Sequence, residues 1–143
     1  AAMEVHATLG RGMAEAIYQE SLVVEMQKRG MDVEREKELR LSYKDVLLEK
    51  RYFADLFYHN VIIELKSVEE ISSDHRAQLF NYMRITGKHR GILLNFGQRM
   101  MTSYFCRKII IGTISKIVIK YIILISGLNY SNYSNFFLNY IAN

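Results

Sequence analysis

Three charged side chains, Asp55, Glu64 and Lys66, stand in two apolar runs within the stretch Tyr52 to Ser67, YFADLFYHNVIIELKS. Carboxylates held side by side in a poorly solvated place raise one pKa unless something compensates them, and for hard oxygen ligands the usual compensation is a divalent cation. Lys66 alone does not serve both acids. The alternative reading of the same three residues is a buried ion-pair network with a structural role.

The elements that must position them follow from the surrounding residues. Two runs rich in Phe, Tyr, Val and Ile are separated by His59-Asn60, which predicts a β-hairpin with a two-residue loop whose Asn tolerates positive φ. That loop pairs Tyr58 with Val61, Phe57 with Ile62 and Leu56 with Ile63. It sets Asp55 across from Glu64, with Cβ atoms about 5 Å apart. Alternation adds Lys66 to the Glu64 face and leaves Ala54, Leu56, Tyr58, Val61, Ile63 and Leu65 on the apolar one. A hairpin covered on both faces belongs at the centre of its sheet.

A helix is expected from near Gly12 to Gly30, stopped by Lys28-Arg29-Gly30, with Glu15, Tyr18, Leu22 and Glu25 on one stripe. Val33 to Tyr43 reads as an edge or protruding strand, Lys44-Asp45 as a turn, and Val46 to Lys50 as a short strand or irregular link. Ser72-Ser73-Asp74 caps a second helix that stops at Gly87 and projects His75, Gln78 and Tyr82 from one side. Arg90 to Phe96 then has the character of a buried strand. After about Ile110 the chain becomes Ile-rich and then rich in Asn, Tyr and Ser. The apolar run there is short and interrupted by Lys116 and Lys120, so it reads as an added strand or an aggregation-prone extension rather than a membrane span.

The 143 residues suffice for one domain with its own core, and the single Cys106 excludes an intrachain disulfide, which favours a reducing compartment. The first twenty residues mix charges with no apolar run, so a cytoplasmic location is expected. The net charge of +4 conceals an asymmetry: residues 1–74 hold all fifteen acids and ten of the nineteen Lys and Arg, whereas residues 75–143 hold nine Lys and Arg and no acid. An acidic cluster beside a basic lobe suits a metal site next to a polyanion track.

With these elements in place the chain resembles the GxxExxY family, a bacterial group with the restriction-endonuclease-like PD-(D/E)xK fold. The naming motif appears as Gly12-Met13-Ala14-Glu15-Ala16-Ile17-Tyr18, the nuclease signature as Asp55 followed by Glu64-Leu65-Lys66, and a Gln-xxx-Tyr motif similar to that of RecB-type nucleases as Gln78 and Tyr82. Gly91 to Gly97, GILLNFG, corresponds to the family's closing strand. Ala54 replaces the Pro that many members carry before the first acid. The resemblance covers roughly residues 10–110, which sets a nuclease-like domain at 1–110 and an Ile/Asn-rich extension at 111–143.

The resemblance implies an α/β fold, a mixed central β-sheet flanked by helices in the order αβββαβ. It implies a Mg²⁺-dependent nuclease, with Mn²⁺ as substitute, acting on nucleic acid and on DNA before RNA. The runner-up is a catalytically inactive nucleic-acid-binding or protein-interaction module on the same fold. Asp55, Glu64 and the Leu65 carbonyl would hold the metal, with Glu15 joining directly or through a water. Lys66 would orient the attacking water and offset transition-state charge, and Gln78 and Tyr82 would position the metal site or the scissile strand. Arg76, Arg84, Lys88 and Arg90 would contact phosphates without reading bases. No membrane partner is expected, and a homodimer is left open.

Overall fold

The computed structural model describes residues 1–110 and 119–125. Along the chain run α1 (Ala2–Leu9), α2 (Glu15–Lys28), β1 (Glu34–Tyr43), β2 (Val46–Tyr58), β3 (Val61–Lys66), α3 (Ser73–Thr86), β4 (Arg90–Asn95), β5 (Thr102–Ile110) and β6 (Ile119–Ile125). The strands form one sheet in the order β1-β2-β3-β4-β5-β6. Among the described strands only β3 and β4 pair in parallel; the other neighbours are antiparallel. This is the expected mixed sheet with flanking helices, α/β in class and consistent with the restriction-endonuclease-like core. It carries three elements beyond αβββαβ, namely α1, β5 and β6.

The hairpin has the expected register, Tyr58↔Val61, Phe57↔Ile62 and Leu56↔Ile63. The positive φ falls on His59, at 53°, rather than on Asn60. The ladder ends at Leu56↔Ile63, so Asp55 is not a ladder partner of Glu64. Past that point β2 leaves β3 and continues as a ribbon with β1, paired from Arg35↔Leu56 to Tyr43↔Val46. Val46 to Lys50 is therefore the start of one 13-residue strand, not a link. Residues 42–53 of the ribbon are exposed, including Tyr43, Val46, Leu47 and Phe53. The hairpin itself is off-centre, since β3 and β4 are the middle strands.

Two cores cover the two faces. On one face α1 and α2 bury Val5, Tyr18, Leu22 and Met26 against Leu56, Ile63, Leu65 and Leu94. On the other, α3 buries Leu79, Tyr82 and Met83 against Ala54, Phe57, Ile62, Leu93 and Cys106. Ala54 thus packs on the α3 side, not with Leu56, because β2 has already left β3 at that residue. The second helix has the expected ends, with Ser72 accepting from the His75 N–H and Gly87 closing the helix. The first helix begins at Glu15 rather than Gly12, and α1 precedes it.

The strand β6 pairs with β5 from Tyr104↔Ile125 to Ile110↔Ile119, so the sheet continues past residue 110. An added strand is what its Ile-rich sequence favours. The Asn/Tyr/Ser-rich part of the extension lies outside the described residues. Among the described residues no helix is long and apolar enough to cross a membrane.

Candidate active site at the carboxyl end of β3

Glu64 and Lys66 are the third-last and last residues of β3, and alternation turns both toward the α3 face. Glu64 is 1% exposed, and Lys66 Nζ lies 3.1 Å from its Oε1. The other oxygen, Oε2, is buried and makes no hydrogen bond among the described residues. Burial first, and then the Asp55 charge, push the Glu64 carboxyl up to about 7.

Asp55 reaches the same place by another route. Its Oδ2 accepts the Leu65 N–H at 2.7 Å, so the carboxylate bridges the gap where the β2–β3 ladder stops. Burial raises its pKa, against the Leu65 hydrogen bond and the Lys66 charge. Its own carbonyl accepts from Gln19 Nε2 at 3.2 Å, and Gln19 Oε1 accepts in turn from Arg35 Nε at 3.3 Å. Gln19 lies one helical turn beyond Glu15, so α2 fixes the backbone of the acid that the hairpin supplies. That turn-spacing is the one signal in the sequence that could have found Gln19.

Glu15 opens α2 and meets the site around the end of the sheet, its Oε1 3.6 Å from Lys66 Nζ. Burial works against the Lys66 ammonium, but Glu64 and then Glu15 outweigh it, and its pKa is raised. The other parts of the same motif shape the loop before the helix. Gly12 has φ 98°, a region that suits glycine. Tyr18 donates to the Gly10 carbonyl at 2.7 Å, accepts the Met13 N–H at 3.1 Å and stacks on Phe96 at 4.6 Å. The Met13 carbonyl then accepts from Ser67 Oγ at 3.0 Å, docking the loop next to Lys66.

From α3, Gln78 Nε2 donates to the Tyr82 hydroxyl at 2.9 Å. Burial, and after it the Glu64 charge, raise the Tyr82 pKa, and the Tyr52 ring stands 6.1 Å away. Glu15, Asp55, Glu64, Lys66, Gln78 and Tyr82 are thus gathered around one end of the sheet. Asn95, an unremarked polar residue in an apolar strand, pairs with Lys66 in the parallel ladder and is fully buried. Its Oδ1 accepts the N–H groups of Val68 and Gly97, at 3.1 and 3.0 Å, tying together the loops that leave β3 and β4.

Those loops touch. A Cβ on Gly97 would stand 2.4 Å from the Val68 backbone. Gly97→Ala should therefore destabilise the protein by about 3 kcal/mol, read as a lower denaturant midpoint. An unchanged midpoint would mean that the two loops separate freely.

The basic residues are placed differently from what the sequence led us to expect. Arg76 turns inward, donating to the Ile71 carbonyl at 3.0 Å and lying 5.3 Å from the Tyr104 ring centroid. Arg90 pairs with Val61, whereas Lys66 pairs with Asn95, so Arg90 lies at the far end of the parallel pair, roughly 17 Å from Lys66 along the strand. Lys88 reaches the His59 carbonyl at that same far end, and Arg84 is exposed in the last turn of α3, beside Asn81. Parallel pairing is the cause: residues that begin β4 fall beside the beginning of β3.

A buried Glu64 with one oxygen unpartnered, raised by burial and by the Asp55 charge, and a half-buried Asp55 raised by burial, fit a divalent cation. Asp55 and Glu64 are the side chains that could hold it; among the described residues no three His, Cys, Asp or Glu side chains converge. Such a partial shell suits an ion that keeps several waters.

A family model described as the PD-(D/E)XK nuclease superfamily matches residues 1–108. The chain belongs to that superfamily, whose nucleases generally use divalent metals and act on nucleic acid. Among solved structures it is similar to the one titled "Crystal structure of SSO0001", with a TM-score of 0.52 and 20% identity over 63% of this chain. The match spans 48% of that chain and speaks for the fold. No curated protein matches.

Proposed function

We propose that this protein is a Mg²⁺-dependent nuclease that hydrolyses phosphodiester bonds of nucleic acid, DNA before RNA, with Mn²⁺ able to substitute. The observation that carries this reading is the pair Asp55 and Glu64, both raised by burial and Glu64 also by the Asp55 charge, beside an ammonium that stays charged. Asp55, Glu64 and the Leu65 carbonyl would hold the ion, and Glu15 stands close enough to Lys66 to steady it or to join through a water. When bound, the cation supplies Lewis-acid polarisation of the phosphodiester and a lowered pKa for water.

The chain's own residues do the rest. Lys66 orients the attacking water and places a fixed positive charge where the reacting phosphate gains negative charge. Glu64 and Glu15 hold that ammonium in place. Tyr82, oriented by Gln78, faces the reacting region from α3. Ala54 before Asp55 removes nothing from this set, because its methyl is buried in the α3-side core. The Gly12, Glu15 and Tyr18 motif supports membership of the GxxExxY group, since each of the three has a distinct part in shaping the loop or the site.

The test is cleavage of labelled single-stranded and duplex DNA and RNA with and without Mg²⁺ or Mn²⁺, alongside melting temperature. Metal-dependent cleavage and a metal-dependent rise in Tm are expected. Absence of both would leave the fold serving as a binding module.

A further inference from the structure

With Arg84, Lys88 and Arg90 at the far end of the parallel pair and Arg76 turned inward, the substrate track lies elsewhere. At the carboxyl ends of β3 and β4 the loops 10–14, 67–71 and 96–101 meet around a cleft of about 450 Å³. Arg11, Glu69, Gln98, Arg99 and Thr102 line it. Arg11 and Arg99 are exposed and make no ion pair or hydrogen bond among the described residues. By contrast Arg29, Arg40 and Arg51 are each paired with a glutamate.

We infer that Arg11 and Arg99 form a phosphate-binding subsite for the nucleic-acid strand whose scissile bond lies at Asp55, Glu64 and Lys66. The inference rests on the nuclease reading above. Three features of the fold carry it.

The first is position. Lys66 pairs with Asn95 and Asn95 with Thr102, so the cleft lies two strand spacings, about 10 Å, from Lys66 across the sheet. Measured against the axial rise of a nucleic-acid strand, that is about three nucleotides from the scissile bond. In open α/β sheets, ligands seat outside the carboxyl ends of parallel strands, which is where this cleft opens.

The second is rigidity. The Arg99 loop is tied by Asn95 Oδ1 to Gly97 and Val68, by Gln98 Nε2 to the Glu69 carbonyl at 2.7 Å, and by its own Gln98 carbonyl to His6 Nε2 at 2.9 Å. The Arg11 loop is tied by Tyr18 to Gly10 and Met13, and by Ser67 to Met13. Both backbones are held while both guanidiniums stay free, so the ordering cost of their use falls on the side chains and not on the loops.

The third is chemistry. Two unpaired guanidiniums against one acid, Glu69, leave the cleft net positive, and the planar fork of Arg matches phosphate oxygens. The Thr102 hydroxyl, buried and without a partner among the described residues, lines the same cleft. Gln98 already spends its amide on the Glu69 carbonyl, so the two guanidiniums are the contacts, and they are assigned to the backbone phosphates.

The experiment is binding of fluorescent single-stranded and duplex oligonucleotides of several sequences to the metal-free protein over a range of salt. Arg11→Ala/Arg99→Ala should weaken binding tenfold or more for every sequence. It should also lower the slope of log affinity against log salt by about 1.4 to 1.8, the contribution of two phosphates. Arg11→Lys/Arg99→Lys should recover most of the slope. Arg84→Ala/Lys88→Ala/Arg90→Ala should change affinity less than twofold. Equal melting temperatures confirm that the variants fold. Weak binding by the triple variant with normal binding by the double one would overturn the subsite and leave the nuclease reading standing. Wild-type protein that neither binds nor cleaves any of the oligonucleotides would overturn both.

Discussion

Lys66→Ala is expected to lower metal-dependent cleavage by two or more orders of magnitude while leaving metal affinity at pH 8 equal or improved. The ammonium is held from two sides, by Glu64 at 3.1 Å and by Glu15 at 3.6 Å, and is charged at neutral pH because those neighbours outweigh its burial. It is not a ligand, so its removal takes no oxygen from the cation. It does remove a positive charge that repels the cation, which is the source of the improved affinity. Loss of the positioned charge falls on the transition state instead, where such groups are worth about 10²-fold or more. Alkaline pH matters to the comparison, because without Lys66 the Glu64 carboxyl holds its proton more tightly and protons compete with the metal. Lys66→Met, which keeps the buried volume, should behave alike. Equal residual cleavage by wild type and both variants would assign the activity to a contaminant.

The second large effect concerns Glu64 and pH. In the folded, metal-free protein its carboxyl titrates at about 7, against 4.5 in the ordinary state that the unfolded chain presents. Between those values the folded protein keeps a proton that the unfolded chain has lost. Stability present below pH 4.5 is therefore lost as pH rises to about 7, by ~3 kcal/mol. Asp55, also raised, acts in the same direction. Metal-free wild type should thus melt at a lower temperature at pH 7.5 than at pH 5, by more than Glu64→Gln does over the same range. Mg²⁺ at a hundred times its dissociation constant should return ~2.7 kcal/mol at pH 7.5 to the wild type and nothing to the variant. If Glu64→Gln shows the same pH slope as the wild type, the proton sits on another group.

The sequence marked this site well where the signals were local. Aromatic and β-branched residues on either side of His59-Asn60 specify the hairpin register, and Ser72 and Gly87 mark the ends of α3. The Asp55 to Glu64 relation was legible as proximity but not as geometry. Nothing in the residues shows that the β2–β3 ladder stops one pair short and that a carboxylate-to-Leu65 bond takes its place.

Long-range placement was the weaker part. A run of Arg and Lys after the second helix reads as adjacent to the acids, yet only the parallel pairing of β3 with β4 decides which end of the sheet receives it. Arg99 belongs to the basic half of the sequence but nothing there joins it to Arg11, from which it is separated by most of the chain. Gln19 and Asn95 are single polar residues whose bonds to Asp55, Val68 and Gly97 go to backbone, and backbone partners leave no pattern of residue types. The helix α1 escaped because eight residues with one buried side chain, Val5, barely exceed the noise of an amphipathic pattern.

The exposed ribbon of β1 and β2 has a bearing on how the site opens. Asp55 sits where a strand with eight exposed residues, Val46 to Phe53, enters the core. Beyond Leu39 and Tyr52, which still pack near α3, the ladder is exposed, so its amides should exchange with solvent through small local openings despite regular hydrogen bonds. Inside the point of entry, the Leu65 N–H is buried and bonded to the Asp55 carboxylate, and exchanges only when the site itself comes apart. The first acid of the site is thus the border between a readily opened arm and the most protected part of the sheet, and a partner that grips the arm pulls directly on it.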